Sequence, residues 1–322
     1  MAYERERQEA ITAARMAAGL CQSVRRQMVN PDKVEKSDKS PVTVADFGSQ
    51  ALICRHLTEI FSDPIVGEED SADLKKPENA ALLASVKSYL AEAGVVGTED
   101  EICDWIDCGN GEVANRYWTL DPIDGTKGFL RNDQYAVALA LIEDGDVKVG
   151  VLACPALPMS GSGGGSLMVA VRGEGTEMMP IAIDRGDRIS VDASGREESH
   201  RFVESVESGH GNQTLQAEVA TAVNIHEPSL RMDSQAKYAA VARGDAVLYL
   251  RLPSLDPNRY AEKIWDHAAG ALVVEEAGGR VTDMHGKPLD FATDERMNSN
   301  RGVVVSNSAL HEDVIKALQK IA

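Results

Sequence analysis

The sequence predicts an α/β (α+β) protein in two parts, because apolar residues follow two different patterns. In the first part, the β-rich runs Tyr135–Ile142 and Val147–Cys154 are joined by Asp144-Gly145-Asp146, a strong hairpin signal. Segments with helical three- and four-residue spacing precede them, which predicts helices packed against an antiparallel sheet. In the last third of the chain, short strands alternate with helices, which is typical of a smaller α/β unit.

The size and charge of the chain limit its organisation and its partners. A length of 322 residues allows about two domains. We expect an N-terminal domain over 1–190 and a C-terminal domain over 191–322. The formal net charge of −18 makes nucleic acids and anionic membranes poor partners for the whole molecule. An acidic protein still binds an anionic substrate when divalent metal ions supply local positive charge.

The termini and the cysteines predict a cellular location. The N-terminus is highly charged, and no apolar run approaches the roughly 18 residues that cross a membrane. Five scattered cysteines fit reduced thiols better than a disulfide framework. Cys103 and Cys108 lie close in sequence, but no second pair with zinc-site spacing follows. We therefore expect a cytoplasmic protein without membrane or nucleic-acid partners, either a monomer or a weak homo-oligomer.

The stretch Trp118–Thr126 carries the clearest chemical signal. An apolar strand ends there in two carboxylates three residues apart, Asp121 and Asp124. Pro122 fixes one backbone angle and Gly125 permits tight or left-handed geometry. Two acids on such a rigid strand end can converge on a hard cation bound through oxygen. A simple turn is the alternative, because Asp, Pro and Gly are the commonest turn formers.

Three further acids stand at the ends of predicted elements. Glu68 follows a short apolar strand, so either a charged surface turn or a cation-facing strand end is expected. Asp46 and Asp266 lie at predicted helix starts, where N-capping is the structural alternative. The carboxylates that together suit two or three magnesium ions in a cleft between the two parts are Glu68, Asp121, Asp124 and Asp266.

These motifs carry a family resemblance. Gly67-Glu-Glu69, Asp121-Pro-Ile-Asp-Gly-Thr126 and Trp265-Asp-His-Ala-Ala-Gly270 resemble, in order, signatures of the lithium-sensitive, magnesium-dependent phosphomonoesterases that include inositol monophosphatase. From about Leu20 onward, the chain looks like the 3′(2′),5′-bisphosphate nucleotidases of the yeast and plant salt-tolerance type. The stretches that narrow the resemblance are Lys39-Ser-Pro-Val-Thr43, Thr126-Lys-Gly-Phe129, Gln134-Tyr-Ala-Val137, Val206-Glu-Ser-Gly-His210, Met232-Asp-Ser-Gln-Ala-Lys-Tyr238, Tyr249-Leu-Arg-Leu-Pro253 and Glu262-Lys-Ile-Trp-Asp266.

The resemblance implies a layered αβαβα sandwich of the inositol-monophosphatase type. It also implies hydrolysis of the 3′-phosphate of 3′-phosphoadenosine 5′-phosphate, and of its sulfated form, with an inositol phosphate phosphatase as the alternative. The implied ligands of the first magnesium ion are Glu68, Asp121 and the Ile123 carbonyl. Those of the second are Asp121, Asp124 and Asp266, and a weaker third ion would use Glu68 and water.

The resemblance also assigns the catalytic and substrate-binding residues. Asp46 and Thr126 would orient and deprotonate the attacking water. The implied substrate-binding residues are Gly125, Thr126, Glu207, His210, Ser234, Lys237 and Arg251. Read without the family, Ser234 is equally an N-cap and Lys237 equally a solvated helix residue. One departure stands at Arg131-Asn132-Asp133, where a glycine is typical of the relatives.

Overall fold

The structure, a computed structural model, describes residues 2–28, 44–159, 164–194, 200–207, 212–253 and 261–321. The hairpin predicted at Asp144–Asp146 is present, with positive φ at Asp144 (54°) and Gly145 (76°). The elements of the first part are α1 (Glu4–Met28), α2 (Val44–Thr58), β1 (Ile65–Gly67), a 3-10 turn (Pro77–Asn79), α3 (Ala80–Glu92), α4 (Glu99–Asp107), β2 (Arg116–Asp124), α5 (Thr126–Leu130), β3 (Ala136–Glu143), β4 (Asp146–Pro158), β5 (Gly165–Val171), β6 (Gly175–Pro180) and β7 (Asp187–Ile189).

The seven strands of the first part form one sheet in sequence order, β1 to β7. Neighbouring strands are antiparallel except for β1, which pairs in parallel with β2 and aligns Gly67 with Leu120. The parallel register brings the residue after β1, Glu68, to the same sheet edge as Asp121. The predicted antiparallel sheet is therefore confirmed, with one parallel strand that serves the site.

Small and large side chains alternate along β3, and this alternation positions a helix. Val137, Leu139 and Leu141 pack on one face of the sheet, while alanines occupy most of the opposite face. On the alanine side, a Cβ added to Gly150 of β4 would lie only 2.9 Å from the Ala269 carbonyl oxygen. The small residues thus let a helix of the second part approach the sheet closely, and that helix begins two residues after Asp266.

The second part contributes a five-stranded mixed sheet in the order β11-β12-β10-β8-β9. Strand β10 is parallel to β8 and antiparallel to β12. The elements are β8 (Phe202–Glu204), α6 (Gln213–Ala222), β9 (Leu230–Arg231), α7 (Ala236–Ala242), β10 (Leu248–Arg251), a 3-10 turn (Ile264–Asp266), α8 (Ala268–Glu276), β11 (Arg280–Thr282), β12 (Val303–Ser306) and α9 (His311–Ile321).

The helices and sheets stack in five layers. Helices α1 and α2 cover one face of the first sheet, and α7 and α8 lie between the two sheets. Helices α6 and α9 cover the outer face of the second sheet. This order confirms the expected αβαβα sandwich. The division at residue 190 remains our proposal, and it is supported by the two sheets drawing their strands from either side of it.

Three strands were not predicted: β6, β7 and β11. β7 lies inside the segment from Asp184 to His200 that its composition marks only as polar, and two of its three residues are exposed. Strands as short as β7 and β11, with three residues each, are fixed by hydrogen bonds to a neighbouring strand, which no local pattern of residues records. No helix in the described residues is long and apolar enough to cross a membrane.

Candidate active site: a cleft with carboxylates and buried cations

A cleft of about 220 Å³, partly open to solvent, lies where the end of β2, the start of α7 and the end of β10 meet. Its lining residues are Glu68, Asp121, Ile123, Asp124, Gly125, Thr126, Lys127, Gly128, Asp233, Ser234, Gln235, Lys237, Tyr238, Tyr249, Arg251 and Asp266.

The end of β2 is rigid, as the sequence predicts. The strand continues to Asp124, but its register with β3 shifts between Asp121 and Asp124. At this irregularity the Ile123 backbone N–H donates to Asp121 Oδ1 at 3.1 Å. Gly125 has a φ of 86°, and a Cβ added there would lie 2.9 Å from the Ser234 Cβ. Only glycine meets both conditions without strain. The turn and the carboxylate cluster are thus one structure.

Glu68 and Asp121 lie together in this cleft and hydrogen-bond to each other. Glu68 remains accessible to solvent through the cleft, whereas Asp121 is 2% exposed. Packing by the surrounding protein, followed by the charges of Asp266 and Asp46, raises the pKa of Glu68 to about 8. Burial and the neighbouring carboxylates, Glu68 foremost, raise the pKa of Asp121 well above its usual range.

Gln235 connects the two remaining carboxylate segments. Its backbone N–H donates to Asp124 Oδ2 at 2.5 Å. Its side-chain Nε2 donates to the Trp265 carbonyl at 2.9 Å, and its Oε1 accepts from the Gly270 N–H at 3.1 Å. Because Trp265 directly precedes Asp266, one buried glutamine fixes the spacing between Asp124 and Asp266. These two residues are 142 positions apart in the chain.

The N-cap interpretation of Asp266 is wrong. Asp266 is the last residue of a 3-10 turn, and helix α8 begins only at Ala268 with His267 at its N-cap position. The Asp266 carboxylate instead accepts a long hydrogen bond, 3.4 Å, from the Lys263 N–H. The α8 start therefore leaves the Asp266 side chain available to the cleft. Burial raises its pKa, although the charges of Arg251 and His267 oppose this shift.

The donor set fits magnesium. It consists of oxygen atoms only, from carboxylates and a main-chain carbonyl, and Mg²⁺ prefers such ligands. Burial and the charge of Asp266 raise the pKa of Asp124 to about 6, so that all four carboxyl groups predicted to bind metal have raised pKa values. Like charges this close are costly unless protons or a cation offset them. A divalent cation would remove that cost at neutral pH.

Two cations, Lys237 and Arg251, line the same cleft and are called its cationic wall below. Lys237 is only 3% exposed, and burial lowers its pKa to about 8 even though Asp124 opposes the shift. Its Nζ lies 5.2 Å from the centre of the Tyr249 ring. The interpretation of Lys237 as a solvated helix residue is therefore wrong. The Arg251 side chain is 25% exposed, and its Nε donates to Glu262 Oε2 at 2.7 Å. Cations that line a cleft are suited to an anionic group such as a phosphate.

Ser234 lines the same cleft in an unusual backbone conformation. Its φ is 67°, a value that non-glycine residues rarely adopt, and its Oγ accepts from the Ala236 N–H at 3.1 Å. The N-cap interpretation of Ser234 is wrong, because Gln235 occupies the N-cap position of α7. The Ser234 hydroxyl nevertheless satisfies the first N–H of that helix from one residue further back.

Three predicted residues lie outside the cleft lining or outside the described residues. Asp46, 2% exposed in the first turn of α2, does not line the cleft but is close enough for its charge to raise the pKa of Glu68. Glu207 lies at the rim, where it pairs with Arg131 and, at 3.6 Å, with Lys127. His210 lies outside the described residues.

Further groups at or near the cleft were not assigned a site role from the sequence. Arg131 also reaches Asp233 Oδ2 at 2.5 Å, so it joins the end of α5 to the segment before α7. Asn132 has a φ of 65°. That conformation explains the departure from a glycine, because asparagine tolerates left-handed backbone better than most residues. The remaining unpredicted members are Lys127, Asp233, Gln235, Tyr238, Tyr249 and the more distant pair Glu262 and His267.

Comparisons with known proteins agree with this fold. The family model for the inositol monophosphatase family matches residues 3–322, and the chain belongs to that family. The 3′(2′),5′-bisphosphate nucleotidase of Emericella nidulans is 42% identical, covering 100% of this chain and 99% of the relative. The Arabidopsis thaliana 3′(2′),5′-bisphosphate nucleotidase 1 is 43% identical, covering 99% of this chain and 97% of the relative.

Solved structures show the same fold at lower identity. The extragenic suppressor protein suhB of Bartonella henselae matches with a TM-score of 0.67 at 22% identity, covering 97% of this chain and 98% of that one. CysQ of Bacteroides thetaiotaomicron, a bacterial member of the inositol monophosphatase family, matches with a TM-score of 0.64 at 21% identity. This match covers 95% of this chain and 98% of the CysQ chain.

Replacing Gln235 with methionine is expected to loosen the site and destabilise the fold. Methionine keeps the length of the side chain but leaves the Trp265 carbonyl and the Gly270 N–H without their buried partner. We expect a loss of about 2–4 kcal/mol in unfolding free energy and a weaker response of the melting temperature to Mg²⁺. The control is Gln216→Met, since the buried Gln216 Nε2 has no partner among the described residues. Equal losses in urea-unfolding free energy for the two variants would contradict the bracing role of Gln235.

Proposed function

We propose that this chain is a magnesium-dependent phosphomonoesterase that removes the 3′-phosphate of 3′-phosphoadenosine 5′-phosphate, giving AMP and phosphate. The sulfated form of that nucleotide is a further proposed substrate. One observation carries the proposal: a single cleft is lined both by four carboxylates, its carboxylate wall, and by the cations Lys237 and Arg251, its cationic wall. A substrate with two phosphates matches both walls, and full-length similarity to bisphosphate nucleotidases supports this assignment.

In this proposal the carboxylate wall holds two or three magnesium ions. Glu68, Asp121 and the Ile123 carbonyl would hold the first ion, and a weaker third would use Glu68 and water. Asp121, Asp124 and Asp266 would hold the second. When bound, the ions lower the pKa of the attacking water and neutralise charge on the leaving ribose oxygen. Phosphate monoesters hydrolyse extremely slowly in water, so a large charge neutralisation is required.

The chain's own residues would orient the water and the transferred phosphate. Thr126 Oγ donates to the Ile123 carbonyl at 3.3 Å, which leaves its lone pairs free to accept a hydrogen bond from a water molecule and so orient it. Asp46 would then act as the base of the pair. The backbone N–H groups of Gly125 and Thr126, at the start of α5, would hold phosphate oxygens.

The second phosphate and the nucleoside would contact the other wall. Lys237 and Arg251 would bind the 5′-phosphate, and arginine can contact it through two N–H groups. Ser234 lies beside them in the cleft. Glu207 and His210 belong to the same proposal as residues near the nucleoside. The Arg131 and Lys127 contacts of Glu207 support its place at the rim.

Two rivals predict different results in a substrate panel. An inositol phosphate phosphatase shares the carboxylate wall, but it would hydrolyse inositol phosphates with the higher kcat/KM. A nucleotide sensor that has lost hydrolysis would bind the bisphosphate and release no phosphate. The test is phosphate release by the purified chain from both substrate types, with and without Mg²⁺. Higher kcat/KM on the nucleotide, dependent on Mg²⁺, is the expected result.

Magnesium is expected to stabilise the fold more at high pH than at low pH. The raised pKa values, about 8 for Glu68 and about 6 for Asp124, mean that the folded chain binds protons more tightly than the unfolded chain. Folding stability without metal therefore falls as pH rises from about 4, the unfolded value, to about 8. Mg²⁺ must displace those protons in order to bind, and fewer carboxyl groups are protonated at high pH, so Mg²⁺ binds the folded chain more tightly there.

The melting temperature measured in Mg²⁺ and in EDTA at matched ionic strength tests this expectation. We expect Mg²⁺ to raise it by about 5 °C at pH 8 and by less than about 2 °C at pH 5.5. An equal rise at both values would contradict a carboxylate-bound ion.

Lithium sensitivity, which the resemblance implies, belongs to the same proposal. We also propose a cytoplasmic location and a monomer or weak homo-oligomer. The location is supported by the cysteines, because Cys21, Cys54, Cys103, Cys108 and Cys154 are all unpaired.

A further inference from the structure

Four side chains, Arg251, Glu262, His267 and Tyr238, form a hydrogen-bonded network next to the cationic wall of the cleft. Arg251 Nε donates to Glu262 Oε2 at 2.7 Å, and the same oxygen lies 3.4 Å from His267 Nε2. His267 Nδ1 lies 2.7 Å from the Tyr238 hydroxyl. Arg251 and Tyr238 line the cleft, whereas Glu262 and His267 do not. The two end members of the network therefore lie in the cleft lining, and the two middle members, which connect them, lie outside it.

The direction of each hydrogen bond follows from the partners. The Arg251 and His267 contacts outweigh burial and lower the pKa of Glu262 to about 2, so this carboxylate only accepts. His267 Nε2 therefore carries a proton and donates to Glu262. In a neutral imidazole the other nitrogen, Nδ1, accepts, and the Tyr238 hydroxyl is its donor. Glu262 therefore accepts from both Arg251 and His267, while Tyr238 holds the His267 ring through the other ring nitrogen.

This arrangement constrains the Arg251 guanidinium. A guanidinium has five N–H groups in one plane. Holding Nε through Glu262 fixes that plane and leaves the terminal nitrogens for another anion. Arg251 also lies close enough to Lys237 for the two positive charges to repel, and the Arg251 charge contributes to lowering the pKa of Lys237. Without the Glu262 carboxylate, that repulsion would favour moving Arg251 away from the cleft.

The same residues do not suit a separate cation. Glu262, Asp266 and His267 offer ligand atoms within 4.8 Å of one another, a spacing compatible with a metal ion. However, the Arg251 guanidinium already occupies Glu262 at 2.7 Å and would repel a cation placed beside it. The geometry favours orientation of Arg251 over metal binding at this cluster.

We propose that Glu262 is a positioning residue that gives the cleft its selectivity for a second phosphate by orienting Arg251. The inference rests on the proposed function, in which Arg251 contacts the 5′-phosphate. Glu262 itself touches neither that phosphate nor the reacting atoms. His267 and Tyr238 support it from behind, so the residues that follow the proposed magnesium ligand Asp266 also determine the shape of the substrate wall.

The test compares two substrates that differ only in the second phosphate: adenosine 3′,5′-bisphosphate and adenosine 3′-phosphate. Glu262→Gln keeps the shape of the side chain and removes its charge. We expect KM for the bisphosphate to rise about 10–100-fold, while kcat and both constants for adenosine 3′-phosphate change by less than about threefold. Glu262→Asp, which retains the charge on a shorter side chain, is expected to recover part of the loss. Glu276→Gln, which removes another partly buried, arginine-paired carboxylate, is the control.

An Arg251→Ala background separates positioning from a general structural role. In that background we expect Glu262→Gln to change KM for the bisphosphate by less than about twofold, because the arginine that Glu262 positions is absent. The proposal would be overturned if Glu262→Gln raised KM equally for both substrates. It would also be overturned if Glu262→Gln raised KM for the bisphosphate as much in the Arg251→Ala background as in the unaltered protein. Calorimetric binding of the same two nucleotides needs no turnover. If the unaltered chain hydrolyses neither, the proposed function fails, and selective weakening of bisphosphate binding by Glu262→Gln still decides the positioning role.

Discussion

Asp124→Asn is expected to lower kcat/KM for the bisphosphate nucleotide by about 1000-fold or more. Asp124 belongs to the carboxylate wall, and the amide that replaces it carries no charge to hold a divalent cation. The fold should survive, because the asparagine side-chain oxygen can still accept the hydrogen bond from the Gln235 N–H. Burial and the charge of Asp266 raise the pKa of Asp124, so removing this carboxylate relieves repulsion when no metal is bound.

Steady-state phosphate release and thermal unfolding in EDTA together measure this outcome. We expect activity near the background level and a melting temperature at least equal to that of the unaltered chain. Asp146→Asn is the matched control, since Asp146 is an acid paired with Lys148 and Arg172 away from the cleft. Full activity of Asp124→Asn would contradict the proposal that the cleft carboxylates bind the metal.

Arg251→Ala is expected to raise KM for the bisphosphate about 100-fold, the effect of one charge-assisted contact with a phosphate. Hydrolysis of a small phosphomonoester should change much less, because such a substrate has no second phosphate. The variant should also lose some stability, since Glu262 would keep its charge without its 2.7 Å partner.

Kinetics on the two substrates, with the melting temperature of the variant, separate these effects. Arg243→Ala is a useful comparison, because this arginine pairs with Asp245 and contacts the Pro158 carbonyl outside the cleft lining. If Arg251→Ala weakens both substrates equally, Arg251 supports the fold and does not contact the second phosphate.

The local features of the site were predictable from sequence because each depends on neighbouring residues. The rigid end of β2 follows from Pro122 and from Gly125, whose φ of 86° confirms the predicted left-handed geometry. The hairpin at Asp144-Gly145 and the capping box that begins α4 at Thr98 follow from equally local signals. The order of the carboxylates along the chain then identified the family that the comparisons confirm.

The contacts between distant segments were not predictable in the same way. Gln235 contacts Asp124 across 111 positions, and no composition or spacing in either segment records that pairing. The error at Asp266 has a similar cause. A helix start normally predicts an N-cap, but here a 3-10 turn precedes α8 and moves the cap position to His267. The proposed role of Glu262 likewise depends on its contact with Arg251, which is visible only in the structure.

We propose that one cleft binds a nucleotide with two phosphates and hydrolyses only the 3′ one. Phosphorus NMR of adenosine 3′,5′-bisphosphate incubated with the purified chain and Mg²⁺ tests this proposal most directly. We expect one equivalent of inorganic phosphate and AMP that retains its 5′-phosphate, with no reaction in EDTA. Loss of the 5′-phosphate, or an unchanged spectrum with Mg²⁺ present, would contradict it.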